Sequence, residues 1–415
     1  MGQADGRPTR PSVDGALNST VVGSLDGIRV VEAGLLVQGP QAAATLAEWG
    51  AEVVKVELPG FGDQARWLFA GPDDRRSPYF VACNRGKRSV TMDLRKEQGR
   101  LAFLRLVDRA DVLITNFAPG TMERWNLGYD VISARNPGIV YASGSTFGDQ
   151  ATVSVAEGAD LSGQAAGGLI STTGETGSGQ TPVGATIADH IAAQNLVAGV
   201  LAALLARERH PDRVGQAVTT SLIGGQIWAQ AGEITACLLT GRPAGPANRG
   251  NPLVPALYGI FATADGSIAI VGLVGAERRK FFDVIGRPEL ADRFAQPLYW
   301  ADDKAALFPL VDEAMGAATT AQWCERLSAA GLRHAPVRDH AQVCADPDVW
   351  ANGYLTTVEG PDGPEPVVSV PVRFGATPGQ PQGGAPRLGQ HTDQVLGELG
   401  FSPAEIAGLR RVGAV

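Results

Sequence analysis

A chain of 415 residues, 44% hydrophobic and 19% charged, is too long for one ordinary core and too apolar to remain unfolded, so two or three packed domains are expected. Its formal charge of -8 argues against a general affinity for nucleic acid or an anionic membrane, and its apolar runs read as shorter than a membrane span. Four cysteines with no C-x-x-C pair and five scattered histidines with no H-E-x-x-H give no reason to expect a disulfide framework or a metal site. The chemistry then falls to side chains, backbone or a cosubstrate, with the cytoplasm as the default location.

The opening MGQADGRPTRPSVDGALNST has no continuous apolar core, and residues 1–24 read as a disordered polar tail rather than a signal peptide. GIRVVEAG (27–34) is β-rich, PQAAATLAEWG (40–50) has helical composition closed by glycine, and AEVVKVE (51–57) is again strand-like. This β-α-β unit predicts a right-handed crossover into a parallel sheet. The alternation continues with KEQGRLAFLRLVDRA as helix, DVLITNF as strand, TMERWNLGYDVISARN as one helix and GIVYASGS as strand. The fold class is therefore α/β: a Rossmann-like, doubly wound large domain over 25–224.

Residues 148–188 read as loop-rich and glycine-rich, placed where ligands sit in such sheets. A smaller α+β domain is predicted at 225–330, because IFATADGSIAIVGLV holds two strands around the turn signal ADG. Residues 331–415 are expected to return to the large domain. There GATPGQPQGGAPRLGQ is too rich in Gly and Pro for regular structure, and Ser402-Pro403 opens the last helix.

Between the glycine-rich loop and a long alanine- and leucine-rich helix stand Asp189 and His190, in GATIADHIAAQNLVAGVLAALLARER. A carboxylate at a helix start ordinarily caps it, accepting backbone N–H bonds worth about 0.5–2 kcal/mol. The helix carries no other acid until Glu208, so it reads as buried along most of its length. A carboxylate in that setting, held ionised by backbone donors, is also a covalent nucleophile for an activated acyl group. Both roles stay open. His190 lies about 100° around the helix from Asp189 and reads as a solvated or packing histidine.

The segments LDGIRVVEAG, GAEVVKVELPG, FVACNRGKRSVTMDL, ADVLITNFAPGTMERWNLGYD, VGATIADHIAAQNLVAGVLAALLARER and LGQHTDQVLGELG, in this order and spacing, resemble the class III CoA-transferases. That family includes formyl-CoA transferase and carnitine CoA-transferase, with α-methylacyl-CoA racemase as a relative. The resemblance implies coenzyme A, bound as acyl-CoA, as cosubstrate, a free carboxylic acid as acceptor, no metal, and an interlocked homodimer. It implies Asp189 as the catalytic carboxylate, passing through a mixed anhydride and an aspartyl-CoA thioester.

Carried over by position, it also implies CoA contacts at Val37 and Gln38 after the first strand, Leu58 after the second, and Met92, Asp93, Leu94 and Arg95 beside the adenine. Asn116, Phe117 and Ala118 match the turn NF-x-PG, Arg124 the basic residue on the next helix, and Glu157, Gly158, Ala159 and Asp160 the stretch flanking the thioester. Independently of the resemblance, NRGKRSVTMDLRK concentrates Arg85, Lys87, Arg88, Arg95 and Lys96 in an acidic chain. Such a cluster reads either as a phosphate site or as a solvated basic face.

Ala159 stands where formyl-CoA transferase has tyrosine and the racemase its catalytic histidine. Racemisation needs an acid/base group on each face of the α-carbon, and alanine removes one. A racemase-like enzyme and a non-catalytic acyl-CoA-binding protein remain the alternatives. A nicotinamide site is disfavoured, since EAGLLVQGPQ is not G-x-G-x-x-G. The loop NRGNPLVPALYG reads as a mobile cover for the acyl end.

Overall fold

The computed structural model describes residues 23–74, 76–150 and 158–415. Strands β1 (Arg29–Ala33), β2 (Glu52–Glu57), β3 (Arg88–Thr91), β4 (Val112–Thr115), β5 (Val140–Ser145) and β6 (Ala217–Ser221) form a sheet in the order β3-β2-β1-β4-β5-β6. Every pairing in it is parallel. Consecutive residues of each central strand enter opposite cores, as a two-residue period requires. Val31, Val54 and Leu113 pack with Phe103, Leu106 and Tyr141, whereas Val30, Val53 and Ile114 pack with Leu46, Leu196 and Val200. This is the doubly wound α/β fold read from the sequence.

Two details differ from that reading. β3 (RSVT) and β6 (AVTTS) were not anticipated as strands: one has only four residues and the other is half polar, so neither shows a hydrophobic period. The segment expected to be a single helix over TMERWNLGYDVISARN is two, Thr121–Arg124 and Tyr129–Arg135. Asn126 stands between them at φ 55°, a left-handed position that ends a helix and that asparagine tolerates better than most residues.

The long helix spans Ile187–Arg209 and crosses from β5 to β6. By length and composition it could cross a membrane, which corrects the reading of the apolar runs as too short. In the fold its residues Ala192, Ala193, Leu196, Val197, Val200 and Ala203 are buried, while Gln194, Ala198, Ala202 and Leu205 are exposed. Burial is thus confined to one face, rather than extending around the helix.

β7 (Leu257–Ala262) and β8 (Ser267–Leu273) make the antiparallel hairpin around ADG, and β9 (His334–Pro336) adds to β8. A separate core of Phe261, Phe281, Phe282, Tyr299, Val311 and Trp323 lies beneath this three-stranded sheet. β10 (Leu355–Gly360) and β11 (Gly363–Val368) form a second hairpin. The glycine- and proline-rich stretch that follows has no helix or strand and lies against the large sheet. Gly86 N donates to Gly383 O at 2.9 Å, and Gly389 N to Ser89 Oγ at 2.9 Å. The last helix, Pro403–Arg411, opens on Ser402, whose hydroxyl accepts from Glu405 N while Glu405 bonds back to Ser402 N.

Candidate active site

In a parallel sheet each crossover helix starts at the carboxyl edge, and ligands bind where the strand order reverses. Here the reversal lies between β1 and β4. The turn after β1 and the turn after β4 therefore flank the crevice, and Asn116 joins them. Its Oδ1 accepts from Leu35 N at 2.8 Å and its Nδ2 donates to Leu35 O at 2.9 Å. Only glycine fits between them, since a Cβ on Gly34 would lie 2.8 Å from Asn116 Oδ1.

Val37 and Gln38 are buried at this edge, and Gln38 Nε2 has no hydrogen-bond partner among the described residues. A buried unpaired amide is costly, and this nitrogen is closed off from solvent in the fold. Leu58, Asn116, Phe117 and Ala118 are partly exposed on the same edge, with Phe117 packed edge-on to Trp125 at 5.2 Å. Arg124 is exposed. Its guanidinium donates to Thr121 Oγ1 at 2.8 Å and has no carboxylate partner among the described residues, which leaves its charge for an anion.

The segment after β3 is different. Met92 and Leu94 are core residues, and Met92 N donates to Glu57 O at 2.8 Å. The Asp93 carboxylate is held by Arg95, whose Nε lies 2.8 Å away, and Arg95 is otherwise exposed. These side chains look inward or at each other.

The basic cluster is likewise engaged within the chain. Arg85 is buried against Glu48 at 2.7 Å, and Lys87 is buried against Glu32 at 2.8 Å. Arg88 bridges Glu52 and Glu398, while Lys96 donates to Val412 O and Gly413 O at 2.7 and 2.9 Å. Reading the cluster as free phosphate-binding charge is corrected by these partners. The sequence concealed that Arg85, Lys87, Arg88 and Lys96 have partners in other segments, while Arg95 pairs with Asp93 beside it.

Asp189 lies in the first turn of the helix Ile187–Arg209, on the carboxyl edge beyond β5. The capping bonds there belong to Asp160, whose Oδ1 accepts from Ala188 N at 2.7 Å and Asp189 N at 3.1 Å. The Asp189 carboxylate itself has no hydrogen-bond partner among the described residues. Burial first, and the neighbouring Asp160 charge second, push its pKa up to about 7. This corrects the expectation that backbone donors hold Asp189 ionised. His190 is partly buried, and that burial draws its imidazole below the usual range.

Of the stretch flanking this carboxylate, Glu157 lies outside the described residues. Gly158 and Ala159 are exposed, Ala159 offers only a methyl group, and Asp160 opens the helix Asp160–Ala166. Gln164, one turn further, was not singled out from the sequence. Its Nε2 donates to Asp160 Oδ2 at 2.6 Å and its Oε1 accepts from Val183 N at 2.9 Å, which fixes both the cap and the loop entering the long helix. Only the i, i+4 spacing of Asp160 and Gln164 hinted at such a pair.

The loop NRGNPLVPALYG is tied down rather than loose. Asn248 Oδ1 accepts from Thr176 N at 2.8 Å, and Lys304 Nζ donates to Asn251 O and Val254 O at 3.2 and 2.6 Å. It thereby joins the glycine-rich loop before Asp189 to the helix Ala301–Met315. A cavity of about 410 Å³ between them is lined by Glu175, Arg249, Lys304 and Phe308, among others.

The model of the family described as CoA-transferase family III matches residues 25–392. The succinyl-CoA:mesaconate CoA-transferase of Haloarcula hispanica is 32% identical over 400 residues, covering 91% of this chain and 97% of that one. The probable fatty acyl-CoA transferase of Mycobacterium tuberculosis is 33% identical over 387 residues, covering 88% of this chain and 96% of the relative. Among solved structures, a CaiB/BaiF family protein from Brucella suis matches with a TM-score of 0.81 at 31% identity, over 91% of this chain and 99% of that chain. With the doubly wound sheet and the crevice at its carboxyl edge, these matches lead to one conclusion: the chain belongs to CoA-transferase family III, enzymes whose cosubstrate is a CoA thioester.

Proposed function

We propose that this protein moves coenzyme A from an acyl-CoA donor to a carboxylic acid, with Asp189 as the covalent nucleophile. The observation that carries the reading is the state of the Asp189 carboxylate. It is desolvated and has no hydrogen-bond partner of its own, while Asp160 relieves it of the capping duty that would otherwise occupy it.

The exchange proceeds in four balanced steps. An Asp189 oxygen attacks the thioester carbonyl carbon; its C–S bond breaks, giving a mixed anhydride and CoA thiolate. The thiolate attacks the aspartyl carbonyl, releasing the donor acid and leaving an aspartyl-CoA thioester. The acceptor carboxylate then attacks this thioester and expels the thiolate, forming a second anhydride. Attack of the thiolate on its acyl carbonyl gives the product acyl-CoA and restores the Asp189 carboxylate. No water enters, so the site must exclude it, and the tied loop from Asn248 to Val254 suits that task.

In this reading coenzyme A binds at the carboxyl edge; the unpaired Gln38 Nε2 supports a donor there, and Arg124, without a carboxylate partner, supports a phosphate-binding cation. A second copy of the chain is part of this reading. The exposure of Trp228, Leu238 and Leu239, at 72%, 81% and 81%, supports this part of the reading. Light scattering that gives the mass of one chain would remove the dimer.

Asp189→Ala is the test. Transfer of CoA between an acyl-CoA and an acid should fall at least about 10³-fold, as when a covalent nucleophile is removed, while coenzyme A still binds. Substantial residual turnover would remove Asp189 from the role.

A further inference from the structure

The turn between β1 and the helix Gln38–Glu48 has a shape that its own residues do not favour. Leu36 stands at φ 62°, in the left-handed region that a side chain with a Cβ avoids. Side chains from four other segments hold the backbone around it. Gly34 O accepts from Lys55 Nζ at 3.1 Å, Leu35 is clasped at both N and O by Asn116, Leu36 N donates to Asp63 Oδ1 at 2.9 Å, and Pro40 O accepts from Lys87 Nζ at 2.8 Å.

These clasps are themselves linked. Glu32 Oε1 meets Lys55 and Glu32 Oε2 meets Lys87, both at 2.8 Å, and Lys55 reaches Asp63 Oδ2 at 2.8 Å. All four side chains are fully buried, two acids against two lysines. Asp63 is fixed in turn, since its Oδ1 also accepts from Ala65 N at 2.8 Å and its own N donates to Glu57 Oε2 at 3.0 Å. A buried ionic cluster contributes little more stability than apolar side chains of the same volume would. What it adds here is a defined turn.

We propose that Asp63 is a positioning residue for coenzyme A: through its bond to Leu36 N it holds the left-handed turn that presents Val37 and Gln38 to the cofactor. The proposal rests on the reading that coenzyme A binds at this edge. The Gln38 side chain has no room to follow a relaxed turn, because it already lies so close to Gly144 that a Cβ there would come within 2.3 Å of its Oε1.

The experiment titrates coenzyme A itself against the full chain and three variants. Asp63→Ala removes the oxygen that accepts from Leu36 N, together with the charge facing Lys55. Leu36→Val leaves the ionic cluster intact but places a β-branched residue where positive φ is hardest to adopt. Val395→Ala opens the core beneath the sheet, away from the turn. Asp63→Ala and Leu36→Val should each raise the Kd for coenzyme A about tenfold or more, the size of one lost bond to a charged group. Val395→Ala should melt at a lower temperature and bind coenzyme A as the wild type does. Should Asp63→Ala fail to fold, Leu36→Val decides. Wild-type affinity in the turn variants would overturn the proposal, and so would equal weakening in Val395→Ala, which would mark the effect as general destabilisation. A wild-type chain that binds no coenzyme A would overturn the cofactor reading itself, a result distinct from either.

Discussion

Asp189 sits where a helix N-terminus favours negative charge, yet its carboxyl is pushed up from 3.8 to about 7 by burial and by Asp160. The nearest backbone donors explain this, because they are spent on Asp160 at 2.7 and 3.1 Å. The folded chain therefore holds the Asp189 proton more tightly than the unfolded chain does. Stability from this group is present at low pH and is lost as pH rises from about 4 to about 7. Asp189→Asn, which resembles the protonated form, should stabilise the chain by about 1–2 kcal/mol at pH 8, after allowance for partial exposure, and by little at pH 4. Denaturant unfolding of both chains at the two pH values checks this, and equal stability at pH 8 would contradict the desolvated carboxylate.

At the scale of elements, the parallel strands were legible wherever apolar residues ran on, as in EVVKVE and VLIT, and illegible where a strand was as short as RSVT. The candidate nucleophile was legible for a related reason: an acid heading a long uncharged helix is conspicuous. Its capping partner was not, because Asp160 is 29 positions away and only the fold brings the two together. The basic run NRGKRSVTMDLRK misled for the same cause, since sequence displays charges and hides their counterions. Arg85 is the clearest instance. It is 3% exposed and bonded to Glu48, which also accepts Val370 N at 2.8 Å and so ties the C-terminal segment to the helix Gln38–Glu48. Glu48→Ala should cost about 3–5 kcal/mol in chemical denaturation by stranding a buried guanidinium. A loss below about 1 kcal/mol would mean that Arg85 finds water or another partner.

Across the whole molecule, the turns after β1 and β4, the cap on the long helix and the loop from Asn248 to Val254 are each held by hydrogen bonds. Among the described residues Gln38 Nε2 and the Asp189 carboxylate make no hydrogen bond, and Arg124 has no carboxylate partner. Ala159 adds no proton-transfer group to that set, which favours exchange at the thioester carbonyl over racemisation at the α-carbon. The exposure of Trp228, Leu238 and Leu239 was hidden in the sequence, where buried and exposed leucines look alike. The central claim is the transient bond between Asp189 and the acyl or CoA group. Incubation with acyl-CoA, trapping with hydroxylamine and peptide mass mapping test it most directly. A hydroxamate on Asp189, lost in Asp189→Asn, is the expected result; transfer turnover with the Asp189 peptide unmodified would contradict it.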